Sequence, residues 1–370
     1  MSARRCRPLA DGVAQATACL KRIETTIALL DRVRPSNLIR EQERLQRAFA
    51  AGERPAPAFE YAPRATLVEE RRELSALATT LEAAGDVESG LLAERARELE
   101  LEAALAEHVG EPGFAALASQ RFPRGAEPAA ARQFAERLLT ATAPDLPAAP
   151  ELLHDTSDRR DPKSLWSELS RRLQAERWPV RVEVVVGLVS LAAVADGVVR
   201  VRAGARLSER AARRIALHEV EGHVRPRVAG QRLGGVFVAG AARASEDEEG
   251  RAILLEERAG LLDEARRKEL GRRYLAAESV RDGAEFWDTV TLLGRRGAPL
   301  EAAIELSARV HRGGGLGRES IYLLGYQRVA TKLARRPELE RVLASGRVSL
   351  EAAEALLAGS IELDDDGNVV

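Results

Sequence analysis

The sequence predicts a mostly α-helical protein with one small β-sheet, an α+β chain whose N-terminal region is helical. Through the first 140 residues apolar side chains recur at intervals of three and four, as in Leu20, Ile23, Ile27 and Leu30 and again in Leu74, Leu77 and Leu81. That is the period of one helical face. After Trp178 and Pro179 the grammar changes to two valine-rich runs, Val182–Val186 and Val198–Val201, which suit strands. From Ser208 to about residue 358 the helical pattern returns.

Ala, Leu, Glu and Arg dominate the N-terminal region, and all are good helix formers. Its helices are expected to break at Pro35, across GERPAPAFEYAPR (52–64), at Gly85-Asp86 and at GEPGF (110–114), where Gly and Pro interrupt the pattern. A looser Pro- and Ala-rich stretch covers 142–162. The expected organisation is a helical region over 1–145, a linker or loop over 146–178, a core over 179–360 and a flexible acidic tail over 361–370, able to form one compact unit. The two valine runs are expected to form a hairpin or to lie side by side, with Asp196-Gly197 as the turn before the second. Ser208 is a good N-cap for the helix that follows. GVFVAG at 235–240 looks like a further short strand, ahead of the helix EEGRAILLEERAGLLDEARRKEL.

A formal net charge of −1 over 370 residues gives no electrostatic reason to expect nucleic acid or an anionic membrane as partner. The N-terminus lacks an unbroken apolar stretch, and no run of about 18 apolar residues occurs, so no membrane span is expected. Only two cysteines are present, Cys6 and Cys19, too few to frame a disulfide scaffold. A cytoplasmic protein is the default. The three tryptophans, Trp166, Trp178 and Trp287, are expected as core anchors, and His108 and His154 as residues without a chemical role.

The chemistry concentrates in RIALHEVEGHVRP (214–226). Zinc peptidases commonly carry H-E-x-x-H, whose spacing of four stacks both imidazoles on one helical face. Here the spacing is five, so on an ideal helix His218 and His223 diverge by about 140°. Gly222 before His223 and Pro226 after it allow the helix to widen into a π-type turn or to end, swinging His223 back. A peptidase-type zinc site needs a third ligand and an open fourth position. SEDEEGRAILLEE (245–257) offers several carboxylates. Glu249 is the choice, because it begins a helix whose Ala252, Ile253 and Leu254 can pack inward. Glu256 lies two turns on and suits a supporting role, holding a histidine by its other nitrogen. Glu219 then becomes the general base towards a zinc-activated water. On spacing alone the bland alternative, two polar residues at a helix end, stays open.

The set LSERAARRIALHEVEGHV, then EEGRA, then RVHRGGGLGRESIYLLGYQRV resembles the microtubule-associated tyrosine carboxypeptidases and their bacterial relatives. That family carries H-E-x-x-x-H and Q-E-G-L-A; here Glu248 stands for Gln and Arg251 for Leu. FEYAPR (59–64), GEPGFAALAS (110–119) and LASGRVSLEAAEALL (343–357) fit in the same order. The resemblance implies a zincin-like metallopeptidase core holding one Zn²⁺ per chain, with His218, His223 and Glu249 as ligands and Glu219 as the catalytic glutamate. The implied partner is a peptide or protein C-terminus ending in Tyr or Phe.

A carboxypeptidase must hold a free carboxylate, which a guanidinium does best. RVHRGGGLGRESIY places Arg309, Arg312 and Arg318 around a glycine-rich turn, and Arg312 and Arg318 are the candidate carboxylate binders. Relatives show R-G-G followed by T-K-D-x-x-Y, whereas Gly317, Arg318 and Glu319 replace T-K-D here. Tyr322 keeps its place in that pattern and could donate to a tetrahedral oxyanion; the alternative is a core aromatic. His311 is left as a surface or loop residue. The rival function is a non-catalytic peptide-binding or regulatory protein on the same scaffold, and a further alternative is a zinc amidase.

Overall fold

The computed structural model describes residues 7–140, 152–195, 197–359, 361, 364 and 369. The expectations for Cys6, residues 142–151, Asp196 and most of the acidic tail fall outside these residues. The described chain is mostly helical with two small sheets. In the N-terminal region helices run Arg7–Ile27, Leu29–Arg32, Leu38–Ala50, Val68–Ala84, Val87–Glu107, Phe114–Arg121 and Pro128–Thr140. They break where the sequence places the breaks. At Gly85-Asp86, for example, the Asp86 carboxylate caps the next helix by accepting the Ser89 N–H at 2.9 Å.

The valine runs become β2 (Arg181–Val185) and β4 (Val198–Arg202), which pair side by side and parallel, Arg181 opposite Val198. They are not a hairpin. The intervening strand β3 (Ala192–Ala195) forms the hairpin with β4, Ala195 opposite Val198, and leaves the other edge of β4 for β2. β1 (Leu153–Asp155) and β5 (Arg206–Ser208) make a separate antiparallel pair. Within 146–178, expected as a linker or loop, the chain thus forms β1 and the helix Leu165–Ala175. That helix is capped by Ser164, whose Oγ accepts the Ser167 N–H at 3.1 Å, and it buries Leu165, Leu169 and Leu173. GVFVAG, expected as a strand, is instead the short helix Gly235–Ala239. It buries Val236, Phe237 and Ala239 in the helical core and has no strand beside it to pair with.

Three apolar clusters fill the protein. The largest combines Leu20, Leu74, Leu92 and Leu99 from the N-terminal helices with Ile253, Tyr322 and Leu343 from the second half. A second joins β4 (Val199, Val201) to Leu169 and to Ile215, Val220 and Val224. A third gathers Leu45, Phe286, Ile304 and Val310. The three tryptophans are half-buried, Trp178 and Trp287 at the margins of the second and third clusters. Trp287 donates its indole N–H to the Pro55 carbonyl at 2.7 Å, while Trp166 and Trp178 lie under Arg159 and Arg225. An indole carries a polar N–H, which favours such margins over a dry centre.

The tightest contact lies between the helices Ala244–Arg258 and Ile321–Arg335. A methyl group on Gly250 would lie 2.2 Å from the Gly325 carbonyl carbon, and one on Gly325 would lie 2.1 Å from the Glu246 carbonyl oxygen. Backbone therefore meets backbone there, and neither neighbour can yield. Either Gly250→Ala or Gly325→Ala is expected to lower the unfolding free energy by about 3 kcal/mol, at the upper end for overpacking. Denaturant titration of both variants checks this, with Gly12→Ala, where nothing lies within 4 Å of the added methyl, as a control expected to stabilise by up to about 1 kcal/mol through helix propensity alone.

Candidate metal centre

Ser208 caps the helix Glu209–Leu217 by accepting the Ala211 N–H at 3.3 Å. The chain then continues without a break into a π-helix, His218–Val224. In a π-helix hydrogen bonds join residues five apart, as in the Arg225 N–H donating to the Val220 carbonyl. The spacing of five therefore brings His218 and His223 to one face, with ring centroids 5.1 Å apart and the rings edge to face.

Two features hold this widened turn. Pro226 has no N–H to give the Glu221 carbonyl five residues back or the Gly222 carbonyl four back. Arg251, from the helix Ala244–Arg258, donates to both through Nη2, at 2.5 and 3.1 Å. Gly222 lets the two helices approach, since a methyl group there would lie 2.5 Å from the Ala252 side chain.

The approach brings Glu249 to the histidines. Its Oε2 lies 3.3 Å from His218 Nε2 and 3.7 Å from His223 Nε2. The three residues are buried, and one ligand atom from each falls within 4.8 Å of the others. Two imidazole nitrogens and a carboxylate oxygen match the donor set of a three-ligand zinc site. The remaining ring nitrogens are also engaged. His218 Nδ1 lies 2.7 Å from Glu256 Oε1, and His223 Nδ1 lies 3.0 Å from Glu248 Oε1. Such carboxylates fix the ring orientation and leave Nε2 as the free donor.

The electrostatics follow from burying five ionisable groups together. For His223, burial alone disfavours the charged ring, but Glu248 and Glu249 outweigh it and raise its pKa to about 10. His218 is raised in the same way, with Glu249 and Glu256 overcoming burial. Burial likewise opposes ionisation of Glu249, yet the two histidines hold it well below the usual carboxylate range. Glu256 is fully buried and stays ionised, at about 2, because Arg266 and His218 outweigh its burial. The Arg266 guanidinium reaches both of its oxygens, at 3.1 and 3.2 Å.

Glu219 is buried in the same π-helix, and no described residue hydrogen-bonds or ion-pairs with its carboxylate. Of the arginines of the glycine-rich turn, Arg309 binds Glu319 at 3.0 Å. Arg318 lies 3.4 Å from Glu249 Oε1 and donates to the Tyr322 hydroxyl at 3.2 Å. Tyr322 is buried, with Arg273 over its ring at 4.6 Å. Arg312 differs from both. It is buried, its Nε has no acceptor, and its guanidinium pairs with no described residue. Burial without a salt bridge pulls its pKa down to about 10. Its backbone is gripped through the next residue, whose N–H donates to the Tyr61 hydroxyl at 2.7 Å.

His311, expected on a surface or loop, closes the helix Leu300–His311 half-buried, 2.9 Å from Thr289 Oγ1. Burial pushes it down to about 4. His108 and His154 make local hydrogen bonds and do not join the cluster. Sequence reasoning missed Glu248, Arg251 and Arg266. The two changes from Q-E-G-L-A, Glu248 and Arg251, were the available signal for the first pair. Arg266 left none.

Two outcomes follow. Arg251→Leu takes a donor from two carbonyls of the π-turn, one of them buried, and is expected to destabilise the protein by about 1–3 kcal/mol; denaturant titration measures it. The raised imidazole pKa values stabilise the metal-free protein fully below the unfolded value of 6.5, and that stabilisation fades as pH climbs towards about 10. Melting temperature against pH is therefore expected to fall over that window for metal-free protein.

Comparison with known proteins gives one match. The sequence model of a family described as microtubule-associated tyrosine carboxypeptidase matches residues 46–362, a span that contains the whole cluster and the glycine-rich turn. No curated protein matches the chain. With the match extending over most of the chain, this protein belongs to the microtubule-associated tyrosine carboxypeptidase family.

Proposed function

We propose that the protein is a zinc-dependent carboxypeptidase with a zincin-like core, removing a C-terminal residue such as Tyr or Phe from a peptide or protein. The observation that carries this reading is the buried convergence of His218 Nε2, His223 Nε2 and Glu249, each histidine held from behind by its own carboxylate. Zinc held there supplies Lewis acidity to the attacking water and the scissile carbonyl.

The residues divide the remaining work. Glu219, with no partner among the described residues, takes a proton from the attacking water and passes it to the leaving amine. Tyr322 donates its hydroxyl proton to the developing oxyanion, its oxygen oriented by the Arg318 guanidinium. Arg312 receives the free carboxylate of the substrate. Leaving a buried guanidinium without a partner is costly, and a carboxylate ligand removes that cost. β3 is an edge strand packed against the π-helix, and an extended substrate can add to its open edge.

Elemental analysis is expected to find about one zinc per chain, lost in His218→Ala/His223→Ala. Glu219→Gln is expected to keep the zinc and lower kcat by about 10²–10⁴-fold on peptides ending in Tyr or Phe. Arg312→Gln is expected to raise KM by about tenfold to a hundredfold, the loss of one charged hydrogen-bonded contact, and to spare peptides amidated at the C-terminus, which are poor substrates either way. Zinc uptake without release of any C-terminal residue would overturn the enzyme reading and leave a binding protein.

A further inference from the structure

Behind the histidine cluster lies a second feature that the proposed reaction does not use. An open-sided cleft of about 50 Å³ sits where the helices Arg7–Ile27, Arg225–Leu233 and Gly235–Ala239 meet Arg347. Its polar lining is Lys21, Glu24, Thr25, Arg227, Gln231 and Arg347. Three cations thus face one carboxylate. Glu24 is already committed: Arg347 takes both of its oxygens, at 2.7 and 2.9 Å, and Arg95 takes one of them again at 2.7 Å. Lys21 ion-pairs with no described residue, and the buried Nε of Arg347 has no acceptor. Positive groups with unused donors around a concave space attract an anion.

The cleft also touches the cluster through Arg227. Arg227 Nη1 donates to Glu248 Oε1 at 2.9 Å and to the His223 carbonyl at 3.0 Å. The same Glu248 oxygen lies 3.0 Å from His223 Nδ1. We propose that the cleft binds a small, doubly charged oxyanion of the phosphate type between Lys21, Arg227 and Arg347, and that its binding tightens the hold of His223 on the metal. An anion beside Arg227 offsets that cation. Glu248 is then the stronger acceptor for the His223 N–H, and the imidazole the more basic ligand. The coupling rests on the zinc reading above; the anion site itself does not.

Sulfate is a suitable probe, because it has the charge and shape of phosphate without precipitating zinc. Calorimetry on metal-free full-length protein, against chloride at the same ionic strength, is expected to show saturable sulfate binding. Lys21→Gln, which leaves every residue of the cluster intact, is expected to weaken that binding about tenfold. Binding that does not saturate, or that is equal in Lys21→Gln, overturns the site. On zinc-loaded protein, saturating sulfate is expected to slow zinc loss to a chelator about threefold in wild type and not in Lys21→Gln. No slowing, or equal slowing in both, overturns the coupling. A protein that takes up no zinc fails the zinc reading, while the calorimetry still decides the anion site.

Discussion

Arg251 reaches from one helix to two carbonyls of the π-turn just ahead of Pro226, and the geometry of the histidine pair depends on that reach. A π-turn is intrinsically less favourable than the α-helix around it. Here the widened turn is held from outside, by a guanidinium above and by the close fit of Gly222 against Ala252. The helix that supplies both contacts also carries Glu248, Glu249 and Glu256. One packing event therefore sets the imidazole spacing, brings in the third donor and supplies both rear carboxylates. The Gly250–Gly325 crossing fixes that helix on its opposite side.

Burying so many charges is tolerable only where each has a partner. For the histidines and the acids behind them that condition is met by shells of alternating sign: histidines inside, then Glu248, Glu249 and Glu256, then Arg227, Arg266 and Arg214. The glycine-rich turn follows the same rule, with Glu319 neutralising Arg309 and leaning towards Arg273. Glu319, a departure from the family's T-K-D, thus acts as an anchor for this turn. Glu219 and Arg312, both buried without a partner among the described residues, are exceptions to the rule, and an unpaired buried guanidinium points to a ligand's charge.

The main elements of the candidate site were legible because their signals are local. H-E-x-x-x-H with a flanking Gly and Pro announced a distorted helix, and the helix periodicity around Ala252–Leu254 placed Glu249 and Glu256 on usable positions. What was not legible depended on tertiary contact. The valine runs gave two strands but not β3, whose alanines carry no strand signal. GVFVAG has strand-like composition, yet the helical core around Val236 and Phe237 decided its conformation. Glu248 and Arg251 were visible as departures from a motif, but their partners, His223 Nδ1 and the π-turn carbonyls, are set by helix packing.

The support that Arg251 gives the π-turn also bears on the order in which the chain is made. His218 and His223 are synthesised before Arg251, and the crossing partner Gly325 comes later still. Until then nothing from outside the 208–226 segment holds its widened turn. A nascent chain stopped there carries two histidines and not yet Glu249. The three converging donors are thus assembled late in translation, when the helix that follows has been made and has docked.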